Sequence, residues 1–349
     1  MPKNFTDYQY YPALRSRLWE MRGHTELDKE TKSKIIPIIA LAKYQKTTTA
    51  AAVIETVAKL LDGGPFILDV EPSVYYRCDD AQTLYDPDQD YGAWRKHVAS
   101  IPNVIPSVLV RASGGKRPII QQALKLEQSF GQIAIRSRNP SSDLEVLSNV
   151  LSSIDDAKNL LVILDYQYVR GASSELADKA TNLIAGLREV NNDAVIALIG
   201  SSYPQAAASY GDAGATLEIY ERSFHASVAS TTDVIYGDYA SIHPIAFAPQ
   251  KSLYVPRIDY PTATTWTFRR YRDDDGGWKK CAQEITDLPQ WDKALVEQSW
   301  GAQKIAAAKA GDLTGMGAPG PWIAARVNMH ILRQLDFDPG IPNDEDQDE

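Results

Sequence analysis

Cysteine is nearly missing from this 349-residue chain: Cys78 and Cys281 are the two present, too few and too distant for a disulfide framework. Neither sits in a Cys-x-x-Cys motif, and a reducing, cytoplasmic setting fits that scarcity. Histidine is sparse as well. The five, His24, His97, His225, His243 and His330, show no His-x-His or His-Glu-x-x-His spacing, so the sequence presents no zinc motif and no metal ligand is assigned from it. No apolar run approaches the ~18 residues that span a membrane. The opening MPKNFTDYQYYPALRSRLWE lacks the charged start and apolar stretch of a signal peptide, so a soluble intracellular protein is expected. Phosphate-binding glycine signatures are missing too. No Gly-x-Gly-x-x-Gly follows a strand-like run, and SGGK at 113–116 lacks the full P-loop form. Ser201 and Ser202, in IALIGSSYP, do not make a Gly-x-Ser-x-Gly nucleophile elbow. Basic residues are outnumbered, 36 against 45 acidic, and the formal charge of -9 argues against bulk nucleic-acid binding or capture by an anionic membrane.

What the chain does have is apolar residues, 44% of the total, in a regular order. Runs rich in Val, Ile and Leu at 35–41, 66–70, 104–110, 132–136, 160–165, 194–199, 233–236 and 265–270 read as eight strands. Strands without polar alternation are expected where both faces of a sheet are covered. Between them fall helical patterns such as TTTAAAVIETVAKLL (47–61), RPIIQQALKLEQSF (117–130) and SSELADKATNLIAGLREV (173–190). In SSDLEVLSNVLSSI (141–154), Ser142 with Glu145 three residues on resembles a capping box. Eight strands with intervening helices predict an α/β fold, a TIM-type (β/α) barrel rather than an open Rossmann sheet. WDKALVEQSWGAQKIAAAKAGD and PGPWIAARVNMHILRQLDF add C-terminal helices. One barrel domain is expected over 1–335, with the extra helices at 290–335, followed by a disordered acidic tail over 336–349.

The strand runs close on charged residues. In a TIM barrel the active face is built from the C-terminal ends of the strands. Asp69, Glu71, Arg111, Arg136, Arg138, Asp165, Gln167, Asp238, Arg269 and Arg270 are therefore expected around one mouth. Tyr166, Tyr168, Tyr239 and Trp266 stand beside them as stacking surfaces, and His243 lies just past the seventh run. Neighbouring strands lie ~4.8 Å apart, so an Asp238–Arg269 contact is expected across the last two.

In their order, YYPALRSRLWE, KIIPII, LDVEP, IAIRSR, VILDY, GDYASIHP, RIDYPTATTWTFRRYR and GPWIAARVNMHI resemble the phage-associated beta-protein family, from about Tyr10 to His330. The resemblance implies a protein of the kind found in phages, prophages and bacterial antiviral defence neighbourhoods, and implies no particular reaction. It also implies that Gly237, Asp238 and Tyr239 belong to one site with Trp266 and Arg269. Ala40, Leu41 and Ala42 replace the acidic ending usual in the family's first strand.

Three functions compete. An arginine-rich mouth suits a phosphate or carboxylate, because guanidinium forks bind both in bidentate fashion. On that reading Asp69, Arg136, Asp165, Asp238, Tyr239, Trp266 and Arg269 bind a small anionic ligand, nucleotide-like or a peptide end. Alternatively Asp69, Glu71 and Asp165 hold Mg²⁺ for phosphodiester hydrolysis. The third is an inert scaffold whose C-terminal helices, with Trp322, Arg326 and His330 on one face, dock a phage or host protein. Against all three stands simple neutralisation of arginine by aspartate, since an unpaired buried charge is costly. The excess of arginine, without a clear metal cluster, favours anion binding, and no catalytic residue is assigned.

Overall fold

The computed structural model describes residues 3–111, 115–171, 174–248 and 254–337, so the expected acidic tail lies outside the described residues from 338 onward. Seven consecutive parallel strands run round a barrel: β1 (Tyr11–Arg15), β2 (Ile38–Leu41), β3 (Phe66–Val70), β4 (Val104–Val108), β5 (Ile133–Ser137), β6 (Leu160–Tyr168) and β7 (Val195–Ser201). After β8 (Gly214–Glu218) leaves the barrel, β9 (Ile235–Asp238) closes it between β7 and β1. Helices including Ala50–Leu60, Lys116–Phe130, Pro140–Leu151 and Ser174–Val190 alternate with the strands. Extra C-terminal helices follow at Gly277–Thr286, Trp300–Lys309 and Pro319–Leu335. The chain is a TIM-type α/β barrel with C-terminal helices, as its pattern predicts.

The eighth barrel strand is not the one expected. The run at 265–270 forms β11 (Thr265–Arg270) in a separate antiparallel sheet with β8 and β10 (Arg257–Pro261). Its place in the barrel is taken by β1. The reason is in the side chains: Trp266 and Phe268 alternate with Thr265, Thr267 and Arg269, the pattern of a sheet buried on one face. That face packs on Tyr203, Leu217 and Ile219 in a small core of its own.

Period-two alternation sorts the barrel residues into two layers. Tyr11, Ala13, Ile38, Ile67, Leu161, Ile163 and Ile199 fill the interior as one cluster. Their strand neighbours Leu14, Ile39, Leu68, Val162, Leu164 and Leu198 join the core shared with the helices. Following the inward set to the strand ends places Arg15, Asp69, Glu71, Arg136, Arg138, Asp165 and Tyr239 at the mouth. Asp238 has the other parity and faces the helical layer.

Candidate functional site

The mouth is a network of buried opposite charges. Arg136, on the rigid end of β5, donates to Asp165 Oδ2 from Nε at 3.0 Å and to Tyr239 Oη from Nη2 at 3.0 Å. Tyr239 in turn donates to Asp165 Oδ2 at 2.6 Å. Arg138 Nη2 donates to Asp69 Oδ2 at 2.6 Å, and Arg136 Nη1 lies 3.6 Å from the same oxygen. The second oxygens of both aspartates are taken by backbone amides, Val70 N on Asp69 and Gln167 N on Asp165. Burial and the neighbouring Arg138 oppose the Arg136 charge, yet Tyr239, Asp165 and Asp69 hold its pKa above the ordinary guanidinium value. Burial, with the Asp165 charge, raises Tyr239, so its phenol stays a donor.

Arg15 completes the rim on the far side. Its Nε donates to Glu71 Oε2 at 3.0 Å, and its other nitrogens reach the carbonyls of His243 and Pro244. The loop after β9 is thereby tied over the mouth. Arg15 escapes the sequence reading because its strand does, although YPALR closes on a charge like the other runs.

Two cavities meet at this network. One of about 300 Å³ is lined by Arg15, Glu71, Arg136, Arg138, Gln167 and Tyr239, with Pro244, Ile245 and Ala246 from the covering loop. The other, about 800 Å³, is lined by Asp69, Arg111, Lys116, Arg136, Arg138 and Asn139 among others. Arg136 and Arg138 belong to both walls. Gln167 sits at φ 53 beside a register shift in β6, a local kink in the strand, and its Nε2 donates to Arg138 O at 2.9 Å. The side chain of Arg138 keeps 22% of its surface exposed, against 3% for Arg136.

Of the residues expected at the mouth, Asp69, Arg136, Asp165 and Tyr239 come together. Asp238, Trp266 and Arg269 do not join them, and the expected Asp238–Arg269 contact is not made. Arg269 Nε lies 3.3 Å from Glu284 Oε2. Asp238 instead accepts from Tyr10 and from Ala240 N on one oxygen, and from Tyr236 at 2.7 Å on the other, which also lies 2.7 Å from His330 Nε2. Trp266, 1% exposed, stacks on His330 and donates Nε1 to Ser241 Oγ at 2.7 Å, so it does belong with the GDY strand, behind the barrel wall rather than at its mouth.

Glu221 joins that outer group, and sequence spacing gave no sign of it. Its Oε2 accepts from Ser202, backbone and hydroxyl, while Ser202 Oγ accepts from Tyr220 N at the start of the helix Tyr220–Ala229. Burial, then the nearby Asp238 charge, pushes the Glu221 carboxyl up to about 7. Despite burial, the His330 charge and the tyrosine hydroxyls keep Asp238 below the usual carboxylate range. Among the described residues, Glu221, Asp238 and His330 are the His, Cys, Asp and Glu side chains that gather three potential ligand atoms, and Asp69, Glu71 and Asp165 do not. Each of those three mouth carboxylates is engaged by an arginine. No helix among the described residues is long and apolar enough to cross a membrane.

An eight-stranded parallel barrel with an arginine–aspartate mouth defines the class, an α/β-barrel protein. Comparison with known proteins gives the family: residues 10–336 match the family model described as Beta protein, and the chain belongs to that family. It is 33% identical over 351 residues to Protein beta of Enterobacteria phage P4, covering 99% of this chain and 98% of that one. Among solved structures, the biosynthetic arginine decarboxylase SpeA of Campylobacter jejuni aligns at a TM-score of 0.36 and 12% identity, covering 95% of this chain and 56% of its own.

Proposed function

We propose that the mouth binds a small anion, a phosphate- or carboxylate-bearing ligand such as a nucleotide or a peptide end, with Arg138 as first contact and Arg136 behind it. The observation that carries this reading is the setting of Arg138. It lines both cavities, Asp69 pins one terminal nitrogen at 2.6 Å, and among the described residues its Nη1 has no hydrogen-bond partner. A planar fork held by one nitrogen keeps the other's donors aimed for a ligand oxygen. Gln167 and Tyr239 line the smaller cavity, whose 300 Å³ suits a small ligand. Arg111 and Lys116 add positive charge along the larger one, where the N-terminus of Pro140–Leu151 also opens. In a family that includes a phage protein, such capture serves phage–host conflict.

The test is a thermal-shift screen of nucleotides, dicarboxylates and acidic peptides, followed by calorimetric titration of the best hit. Lysine at position 138 keeps the charge and loses the fork. Arg138→Lys is expected to bind roughly tenfold more weakly, about 1.4 kcal/mol, at an unchanged melting temperature. Equal affinity in both proteins, or no hit in the screen, would reduce the mouth to a set of structural ion pairs.

A further inference from the structure

We infer that Glu221, Asp238 and His330 form a buried divalent-cation site of Zn²⁺ or Mn²⁺ type, locking the C-terminal helix to the barrel wall. Their candidate ligand atoms lie within 4.8 Å of one another, from three elements: the helix Tyr220–Ala229, strand β9 and the helix Pro319–Leu335. The residues are 2%, 0% and 0% exposed. Two observations at this place favour a cation.

The first is charge. Of the comparably buried carboxylates, Asp69, Glu71, Asp165 and Asp259 each have an arginine within 4.0 Å, while Glu20 and Glu127 accept from backbone amides. Among the described residues neither Glu221 nor Asp238 has a lysine or arginine at that distance, and His330 is the cationic candidate beside them. Two carboxylates this close, shielded from water, repel each other strongly unless a cation or a proton stands between them.

The second is valence. Glu221 Oε1 and His330 Nδ1 are buried with no hydrogen-bond partner. Metal binding takes the imidazole in its neutral form, with the coordinating nitrogen free of its proton. Two oxygens and one nitrogen make a donor set that suits Zn²⁺ or Mn²⁺. Tyr10, Tyr236 and Ala240 N orient the Asp238 carboxylate from outside, the usual task of groups around a metal ligand. None of the cavities described above is lined by these side chains, so the role is structural, with metal uptake coupled to folding. A spacing of 17 and 92 residues between ligands, from Glu221 to Asp238 to His330, matches no metal motif readable in a sequence.

The full chain, expressed in medium supplemented with zinc and manganese, is analysed for bound metal by plasma mass spectrometry; the expectation is about one ion per chain. A second portion is unfolded with chelator, then refolded with Zn²⁺, with Mn²⁺ or with chelator alone. The metal-refolded protein should melt about 5 °C higher than the chelated one. Glu221→Gln and His330→Gln should each lose the ion, and if they do not fold, the wild-type refolding pair decides. Metal below roughly a tenth of an equivalent, with identical melting in all three refolded samples, would overturn the site and leave a shared proton or a buried water in its place.

Discussion

Gly237 shows what a single side chain, or its lack, decides in this barrel. It stands in β9 opposite Tyr11 of β1 and Ile199 of β7, at the seam where the barrel closes. A Cβ there would meet the Tyr11 carbonyl oxygen at 2.7 Å and press on the Ile199 side chain. Backbone oxygen cannot swing aside, so Gly237→Ala is expected to destabilise the fold by about 1–3 kcal/mol, as overpacking does. Urea unfolding measures it, and an unchanged midpoint would mean the seam has slack. The same glycine explains why Asp238 reads as a rim residue in sequence. For Arg136, the alternation of Ile133, Ala134 and Ile135 makes the residue's direction legible, whereas Gly237 carries no side chain to mark the inner face. With that marker missing, Asp238 and Tyr239 compete for the mouth, and the structure gives it to Tyr239.

Elements were legible where their burial matched their pattern. Six of the barrel strands, β2 to β7, carry continuous apolar runs and sit between interior and helices, as such runs require. The strand β1 is five residues, YPALR, with no Val or Ile to mark it as a strand. Helix pairing at the N-terminus shows a similar local decision. In Leu18–Thr25, a Cβ on Gly23 would meet Val327 Cβ at 2.6 Å, so the glycine lets this helix lie against Pro319–Leu335. His24, next to it, is 3% exposed, with Nδ1 lacking a partner. Burial, then the nearby Lys32 charge, lowers its pKa to about 3 from an ordinary 6.5. The unfolded chain therefore takes up a proton below pH 6.5 that the folded one refuses until about pH 3, and stability falls as pH drops through that window. At pH 5 the loss from this group is about 2 kcal/mol. His24→Gln should flatten the stability profile between pH 6 and pH 4 by up to one proton relative to wild type. Parallel profiles in the two proteins would show that the imidazole titrates freely in the folded state.

Across the whole molecule, the C-terminal helix makes hydrogen bonds to the barrel, the outer sheet and the N-terminal helix. Its polar residues, buried at Arg326, Asn328 and His330 and half-buried at Arg333, are each committed to a different neighbour. Arg326 reaches Asp259 of β10 at 2.5 Å and Tyr203 at 2.6 Å. Asn328 accepts from Ser299 at 2.8 Å and from Gly301 N at 3.0 Å, and its Nδ2 donates to Gly23 O at 3.3 Å. His330 lies 2.7 Å from Asp238 of the barrel, and Arg333 donates to Asp292 and to Tyr260, each at 2.9 Å. Sequence put Trp322, Arg326 and His330 on one face of this helix, but periodicity is silent on the partners of buried polar groups when those lie far away in the chain. Breaking several such bonds at once leaves buried donors and acceptors unmatched, which costs far more than the bonds contribute. The expectation is one cooperative body: limited proteolysis should leave residues from about 8 to 335 resistant while removing PNDEDQDE at 342–349, whose sequence holds no large apolar side chain. A chain ending before Pro319 should fail to yield a folded barrel, because Asp259, Asn328's partners and Asp238 all lose their counterparts together. Recovery of a separately stable fragment ending near residue 200, or a folded barrel without the last helix, would show instead that the helix is an accessory laid on a barrel already complete.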